Sequence, residues 1–268
     1  MDAELRADGL GTDRGILVVE GPDDKRVFAR HVFDASQILP AGGRKILLSA
    51  HEKATQAQRA KIIFVTDCDY EVRRGNLRGA PDLVITTFTD MESDLIDLGL
   101  VELAVLDLVP GALDSSAACK RISEALLSKA RKMALPLGRI RMAAQPLGIP
   151  IHLDDVKMPR YWDNKDQSIN SQKLTDAMHS KVSEVVGFQE WRELVEKSPA
   201  DPGMCHGKDL ARNLASLLKS DHRVDGITAD RLVQMMRAHL DNEHLSRWDV
   251  VSRIRGWQKL HHRFVLSS

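Results

Sequence analysis

Three runs of aliphatic and β-branched residues stand out in the first third of the chain: Ile16-Leu-Val-Val19, Ile62-Ile-Phe-Val-Thr66 and Leu83-Val-Ile-Thr-Thr-Phe88. None alternates polar with apolar positions, as a strand with one wet face would. Each therefore predicts a strand buried on both faces of a parallel sheet. Between the runs the pattern predicts a helix from Asp23 to Phe33, a short strand near Gln37 to Pro40, a turn at Gly42-Gly43, a further apolar run over Ile46 to Ser49 and a helix from His51 to Ala60. A loop over Gly75 to Pro81 precedes the third strand, and a helix from Met91 to Leu98 follows it. Alternating strands and helices imply a Rossmann-like parallel sheet with flanking helices and right-handed crossovers. Periodicity leaves Val101 to Leu108 open between strand and helix.

Beyond Pro110-Gly111 the spacing becomes helical. Ser115 to Met133 places Ile122, Leu126 and Met133 between basic residues, and Pro136 is expected to end or break that helix. Ile149 to Val156 suits a short strand and Lys157 to Asn170 a polar loop. Helices are expected over Ser171 to Val186, Phe188 to Lys197, Lys208 to Lys219, Thr228 to Leu240 and Ser246 to His262. The expected organisation is a polar segment over residues 1–14, an α/β domain over 15–112 and a mainly helical, basic domain over 113–268.

The buried runs end abruptly in acids. Glu20 and Asp24 follow the first strand, Asp67 and Asp69 the second, and Asp90, Glu92 and Asp94 the third. In an open parallel sheet the carboxyl ends of neighbouring strands face one crevice, so these groups should converge. Carboxylates that close do not all stay ionised without cations, and an oxygen-only donor set suits Mg²⁺ or Mn²⁺ better than Zn²⁺. Singly, Glu-Gly-x-x-Asp and Asp-x-Asp are also what turns and helix caps use. Asp23 would point away if the first helix begins there, and Asp90 is either a secondary ligand or a cap.

The chain has 38 Lys and Arg against 38 Asp and Glu. That balance hides an asymmetry, with 13 basic against 20 acidic residues over 1–115 and 25 against 18 over 116–268. An acidic half joined to a basic half fits a metal enzyme acting on a polyanion, and also fits ordinary surface charge. No run of apolar residues is long enough to span a membrane, and the start carries no apolar leader, so a cytoplasmic protein is expected. Cys68, Cys119 and Cys205 form no Cys-x-x-Cys pair, which argues against a disulfide framework or structural zinc.

Glu20-Gly-x-x-Asp24, then Asp67-x-Asp69, then Glu92 after the next strand resembles a Toprim domain, and within that superfamily the overcoming-lysogenization-defect (OLD) nucleases. The resemblance extends to the short ATPase-associated Toprim effectors of phage defence, as in the PARIS system, and covers about residues 15–110. It implies a two-metal nuclease acting on RNA, transfer RNA included, or on DNA, with an ATPase partner; it leaves homo-oligomerisation open. It implies that Glu20 bridges the metals, that Asp24 and Glu92 complete one and that Asp67 and Asp69 serve the other. His206-Gly-Lys208-Asp-Leu resembles a late OLD segment, which would make Lys208 a cation near the metals and His206 a proton donor. A lone His is more often structural, and a Lys in that place also suits a solvated helix start.

Other patterns fit less well. Gly203-x-x-x-Gly207-Lys208-Asp209 lacks a residue and the Ser or Thr of a phosphate-binding loop, and no buried strand precedes it. A receiver-type phosphoacceptor would use Asp67 with Thr87 or Thr89, without its later Lys-Pro pair and leaving Glu92 unexplained. A dehalogenase-type phosphatase needs Asp-x-Asp on its first strand followed by Thr, and a topoisomerase needs a larger body than this.

Overall fold

The computed structural model describes residues 13–72, 74–149, 158–163 and 168–267, with Ile151, Leu153 and Val156. The expected polar segment 1–14 and the strand proposed over Ile149 to Val156 thus lie largely outside the described residues. The chain packs as two units, one formed by the part up to Asp94 with Leu240–Ser268, the other by Leu95–His239. The boundary expected near Pro110 lies elsewhere, and the last residues join the α/β unit instead of the helical one. The reason is packing, which sequence order does not report.

In the first unit, β1 (Ile16–Val19) leads into α1 (Pro22–Phe28), β2 (Ile38–Pro40), α2 (Arg44–Lys53), the single turn α3 (Gln56–Arg59), β3 (Ile62–Thr66) and β4 (Leu83–Ile85). The strands form one parallel sheet in the order β2-β1-β3-β4, with Leu17 opposite Ile38, Val18 opposite Phe64 and Val65 opposite Val84. Every residue of β1, β3 and β4 is buried, which is why these runs carry no polar alternation. Leu47 of α2 packs with Ile16, Val18, Ile62, Phe64 and Leu83 in one core cluster. Ile46 to Ser49, an apolar run in the sequence, is helical: Leu47 is fully buried against the sheet and Leu48 packs partly against the same cluster, while Ile46 stays exposed.

Helix α4 (Met91–Asp97) starts directly after the β4 loop, and α5 (Leu100–Leu108) resolves the ambiguous segment as helix. In the second unit, α6 (Ser116–Ala144) continues through Pro136, contrary to expectation. A proline inside a helix costs about 3 kcal/mol. Leu126, Met133, Ala134, Leu137 and Ile140 are all buried along this helix, and their packing outweighs that cost. Two short strands, β5 (Trp162–Asp163) and β6 (Ser168–Ile169), pair antiparallel within the expected polar loop. Next come α7 (Ser171–His179), α8 (Phe188–Lys197), α9 (Gly207–His222) and α10 (Ala229–His239), with α9 packed on α6 and α10 on α5.

The chain then re-enters the first unit through α11 (Asn242–Arg247) and α12 (Asp249–His261), two helices where one was expected. Helix α12 lies against β3 and β4, and Trp257 Nε1 donates to the Arg59 carbonyl at 3.2 Å. No helix among the described residues is long and apolar enough to cross a membrane.

Candidate functional site

The strand order reverses between β1 and β3, one connection leaving toward β2 and the other toward β4. At such a switch point the two outgoing loops diverge and open a crevice at the carboxyl ends of the strands. Glu20 ends one of these strands and Asp67 the other. Glu20 Oε1 accepts from Thr66 Oγ1 at 2.5 Å and from the Asp67 backbone N–H at 2.9 Å, so the carboxylate spans the two strand ends.

The neighbouring loops close in by backbone geometry. Gly42 and Gly43 have φ of 86° and 122°, conformations that side-chain-bearing residues resist, and their N–H groups donate to the Glu20 carbonyl at 3.1 and 2.9 Å. That turn delivers Arg44, the first residue of α2, into the acids. Its guanidinium donates to Asp69 Oδ2 at 2.9 Å, to Glu71 Oε2 at 2.8 Å and to the Asp67 carbonyl at 2.5 Å, and stands 3.7 Å from Glu20 Oε1. On the other side, Asp67 Oδ1 accepts from Met91 N at 3.1 Å, and Asp69 N donates to the Thr89 carbonyl at 2.7 Å. Asp69 itself has φ of 43°, a left-handed conformation that aspartate tolerates better than most residues.

Burial, followed by the negative charges of Asp90, Glu20, Asp24 and Asp69, pushes the Asp67 carboxyl well above the usual carboxylate range. Four of the five expected ligands are thereby gathered, and Asp90 joins them. Each also has a structural duty. Asp24 Oδ2 accepts from Gly21 N at 2.8 Å, closing the first turn of α1, where a glycine cap offers no side chain. Asp90 Oδ1 accepts from Ser93 N and Oγ at 2.8 and 2.6 Å at the start of α4. Asp23 instead pairs with Arg26 at 2.7 Å on the outer side of α1. Glu92 is buried in the first turn of α4, 6% exposed.

Among the described residues no three acidic, imidazole or thiol groups are arranged so as to hold a metal ion as they stand. The donor set nonetheless fits a hard dication in its chemistry, being carboxylate oxygen throughout, with Asp67 destabilised by like charges that a cation would offset. The cation seated among them is the Arg44 guanidinium.

Lys208 and His206 belong to the second unit. His206 precedes α9, its carbonyl accepting from Asp209 N and Leu210 N at 3.0 Å each, and Lys208 is exposed in the first turn. The rest of the Gly-Lys-Asp-Leu segment has a packing explanation. Asp209 is buried and paired with Arg141 of α6, with Arg212 at 3.3 Å, while Leu210 is buried.

Sequence reasoning missed Arg44, although Gly42-Gly43 after a short strand was visible, and a turn at the same sheet edge could have pointed to the residue it delivers. It also missed Thr66, read only as the last residue of a strand. The sequence matches no protein-family model and no curated protein.

Proposed function

We propose that this chain is a divalent-metal-dependent nuclease of the Toprim, OLD-like type, hydrolysing phosphodiester bonds in RNA or DNA at the Glu20–Asp67 crevice. The observation that carries the reading is the meeting of Glu20 and Asp67 at the switch point of the sheet, where Glu20 Oε1 accepts from the Asp67 N–H at 2.9 Å and where burial, then the charges of Asp90, Glu20, Asp24 and Asp69, push the Asp67 carboxyl upward. Dications held by Glu20, Asp24, Asp67, Asp69 and Glu92 would supply an activated water and stabilisation of the leaving oxygen. The chain's own groups set the stage for that. Thr66 Oγ1 and the Asp67 N–H orient Glu20, Met91 N orients Asp67, and Arg44 holds Asp69 beside them. Lys208, with His206 as proton donor, would add positive charge for the phosphate. The sequence resemblance supports placing the enzyme in the cytoplasm as the toxic effector of a phage-defence system under an ATPase partner.

The test is cleavage of labelled RNA and DNA, single- and double-stranded, with Mg²⁺ or Mn²⁺ and with chelator. Glu20→Gln and Asp67→Asn should each abolish cleavage while leaving the fold intact. Cleavage that survives in chelator or in both variants would sink the proposal.

A second reading is favoured by the strand order, since β2-β1-β3-β4 with Asp67 after β3 and Thr87 or Thr89 after β4 is also the arrangement of receiver-like phosphoacceptors. It predicts acyl phosphate on Asp67 from a small phosphodonor, no nuclease activity, and indifference to loss of Glu92.

A further inference from the structure

A groove of about 430 Å³ in the α/β unit is lined by Phe33, Arg255, Lys259, His262, Arg263 and Phe264, with no acidic residue in its lining among the described residues. Phe33 and Phe264 are 55% and 51% exposed, and their rings meet edge to face at 6.1 Å. Two large aromatic side chains left in water lose the burial that normally holds such residues inside. Their backbones, in contrast, are tied down. Phe264 N donates to the Asp13 carbonyl at 2.8 Å, its carbonyl accepts from Gly15 N at 3.0 Å and Gln37 Nε2 at 2.8 Å, and Phe33 N reaches the Val265 carbonyl at 3.4 Å. The rings therefore stand on a fixed base.

The cations around them are also unspent. Among the described residues Arg255, Lys259 and Arg263 make no ion pair, whereas Arg253 one turn away is paired with Asp249 at 2.7 Å. From Val250 to Ser268 the chain has Arg253, Arg255, Lys259 and Arg263 and no Asp or Glu. Asp34, next to Phe33, is engaged by Arg14 at 3.6 Å and by Ser36 N at 2.8 Å.

We propose that this face binds single-stranded nucleic acid, bases stacking on Phe33 and Phe264 while phosphates lie on Arg255, Lys259 and Arg263. Charge complementarity decides the occupant. A row of unpaired cations selects a polyanion, and exposed rings select one whose bases are unstacked and free to splay onto them; a duplex hides those π-faces. The proposal deepens the nuclease reading by naming the strand form that is captured, and it rests on that reading only for what becomes of the strand afterwards.

The experiment is fluorescence anisotropy of labelled single-stranded RNA, single-stranded DNA of the same sequence, and the duplex, with the full chain at several salt concentrations in chelator. The expected results are tighter binding of single strands than of duplex and a salt slope of roughly −2, about −0.7 for each phosphate engaged. Phe33→Ala and Phe264→Ala should each weaken binding roughly tenfold with little change in slope, and Lys259→Gln or Arg263→Gln should each make the slope shallower by about 0.7. Phe33→Trp, which keeps a stacking face, should retain binding and guards against a folding defect. RNA and DNA arms that differ identify the sugar preferred. Preference for duplex, or unchanged binding in both alanine variants, overturns the proposal. A parallel melt with Mn²⁺ separates the two readings: single-strand binding that depends on the two Phe residues, without any metal response, would leave this surface standing and remove the metal site.

Discussion

The indole Nε1 of Trp248 donates to Asp94 Oδ2 at 2.8 Å, joining residues 154 positions apart. Both are buried, and the same carboxylate accepts from Thr87 N at 3.2 Å and Phe88 N at 2.8 Å. Trp248 also stacks on Phe28 at 5.5 Å with the rings 1° from parallel. The loop that places Asp90 and Met91 beside Asp67 is thus fastened from the far end of the chain. Trp248→Phe keeps the stacking and removes the donor, and should cost about 1 to 3 kcal/mol, as for a hydrogen bond to a buried charged group. Urea melts measure it, and an unchanged midpoint would show that the indole contributes packing alone.

Asp94 also makes stability depend on pH. Burial raises its pKa from 3.8 to about 6, against the lowering effect of its hydrogen bonds from Trp248, Phe88 and Thr87. A carboxyl with a raised folded pKa binds its proton more tightly in the native state, so its contribution is favourable at low pH and lost as pH rises from about 4 to about 6. The loss is on the order of 3 kcal/mol. Asp34, Asp176, Asp221 and Asp241 are shifted the other way and act below about pH 4, whereas His31, lowered by burial from 6.5, opposes the Asp94 effect as pH falls and Asp67, also raised, adds to it. Metal-free protein should melt higher at pH 5 than at pH 7, and Asp94→Asn should flatten part of that difference.

Replacing Asp67 should stabilise the metal-free protein. Asp67→Asn removes a charge crowded by four others and retains an oxygen for Met91 N, so its melting temperature in chelator should exceed that of the wild type. Millimolar Mg²⁺ or Mn²⁺ should raise the wild-type midpoint through ligand linkage and leave the variant unmoved. Calorimetry that detects no divalent binding to the wild type would defeat the metal reading.

Arg44 is the cation these carboxylates lean on without metal. At 14% side-chain exposure its loss strands Asp69, Glu71 and Glu20, and Arg44→Gln should cost about 2 to 4 kcal/mol in chelator. Arg44→Lys should recover little, because one ammonium does not reproduce the fork between Asp69 and Glu71. Differential scanning calorimetry of the two variants provides the comparison.

Lys208 and Asp209 should separate function from folding. Lys208 is exposed, so Lys208→Ala should leave the melting temperature near wild type and, if it serves the phosphate, lower turnover by roughly 10²-fold. Asp209→Asn breaks a buried pair with Arg141 and should destabilise the protein by several kcal/mol. Full turnover in a folded Lys208→Ala protein removes that residue from the chemistry.

What the sequence alone determined was whatever depends on local pattern. Unbroken aliphatic runs specify strands buried on both faces, and acids placed immediately after them must come to the same edge once the strands are parallel. That made Glu20, Asp24, Asp67 and Asp69 legible. Packing between distant segments decided the rest. Pro136 lies inside a helix because its neighbours are buried, and α12 returns to the sheet because Trp257 and Trp248 find partners there. Arg44 occupies the acidic crevice because two glycines with positive φ turn it inward. None of these leaves a periodic trace, since a contact across many tens of residues is selected by shape and charge in three dimensions and not by spacing along the chain.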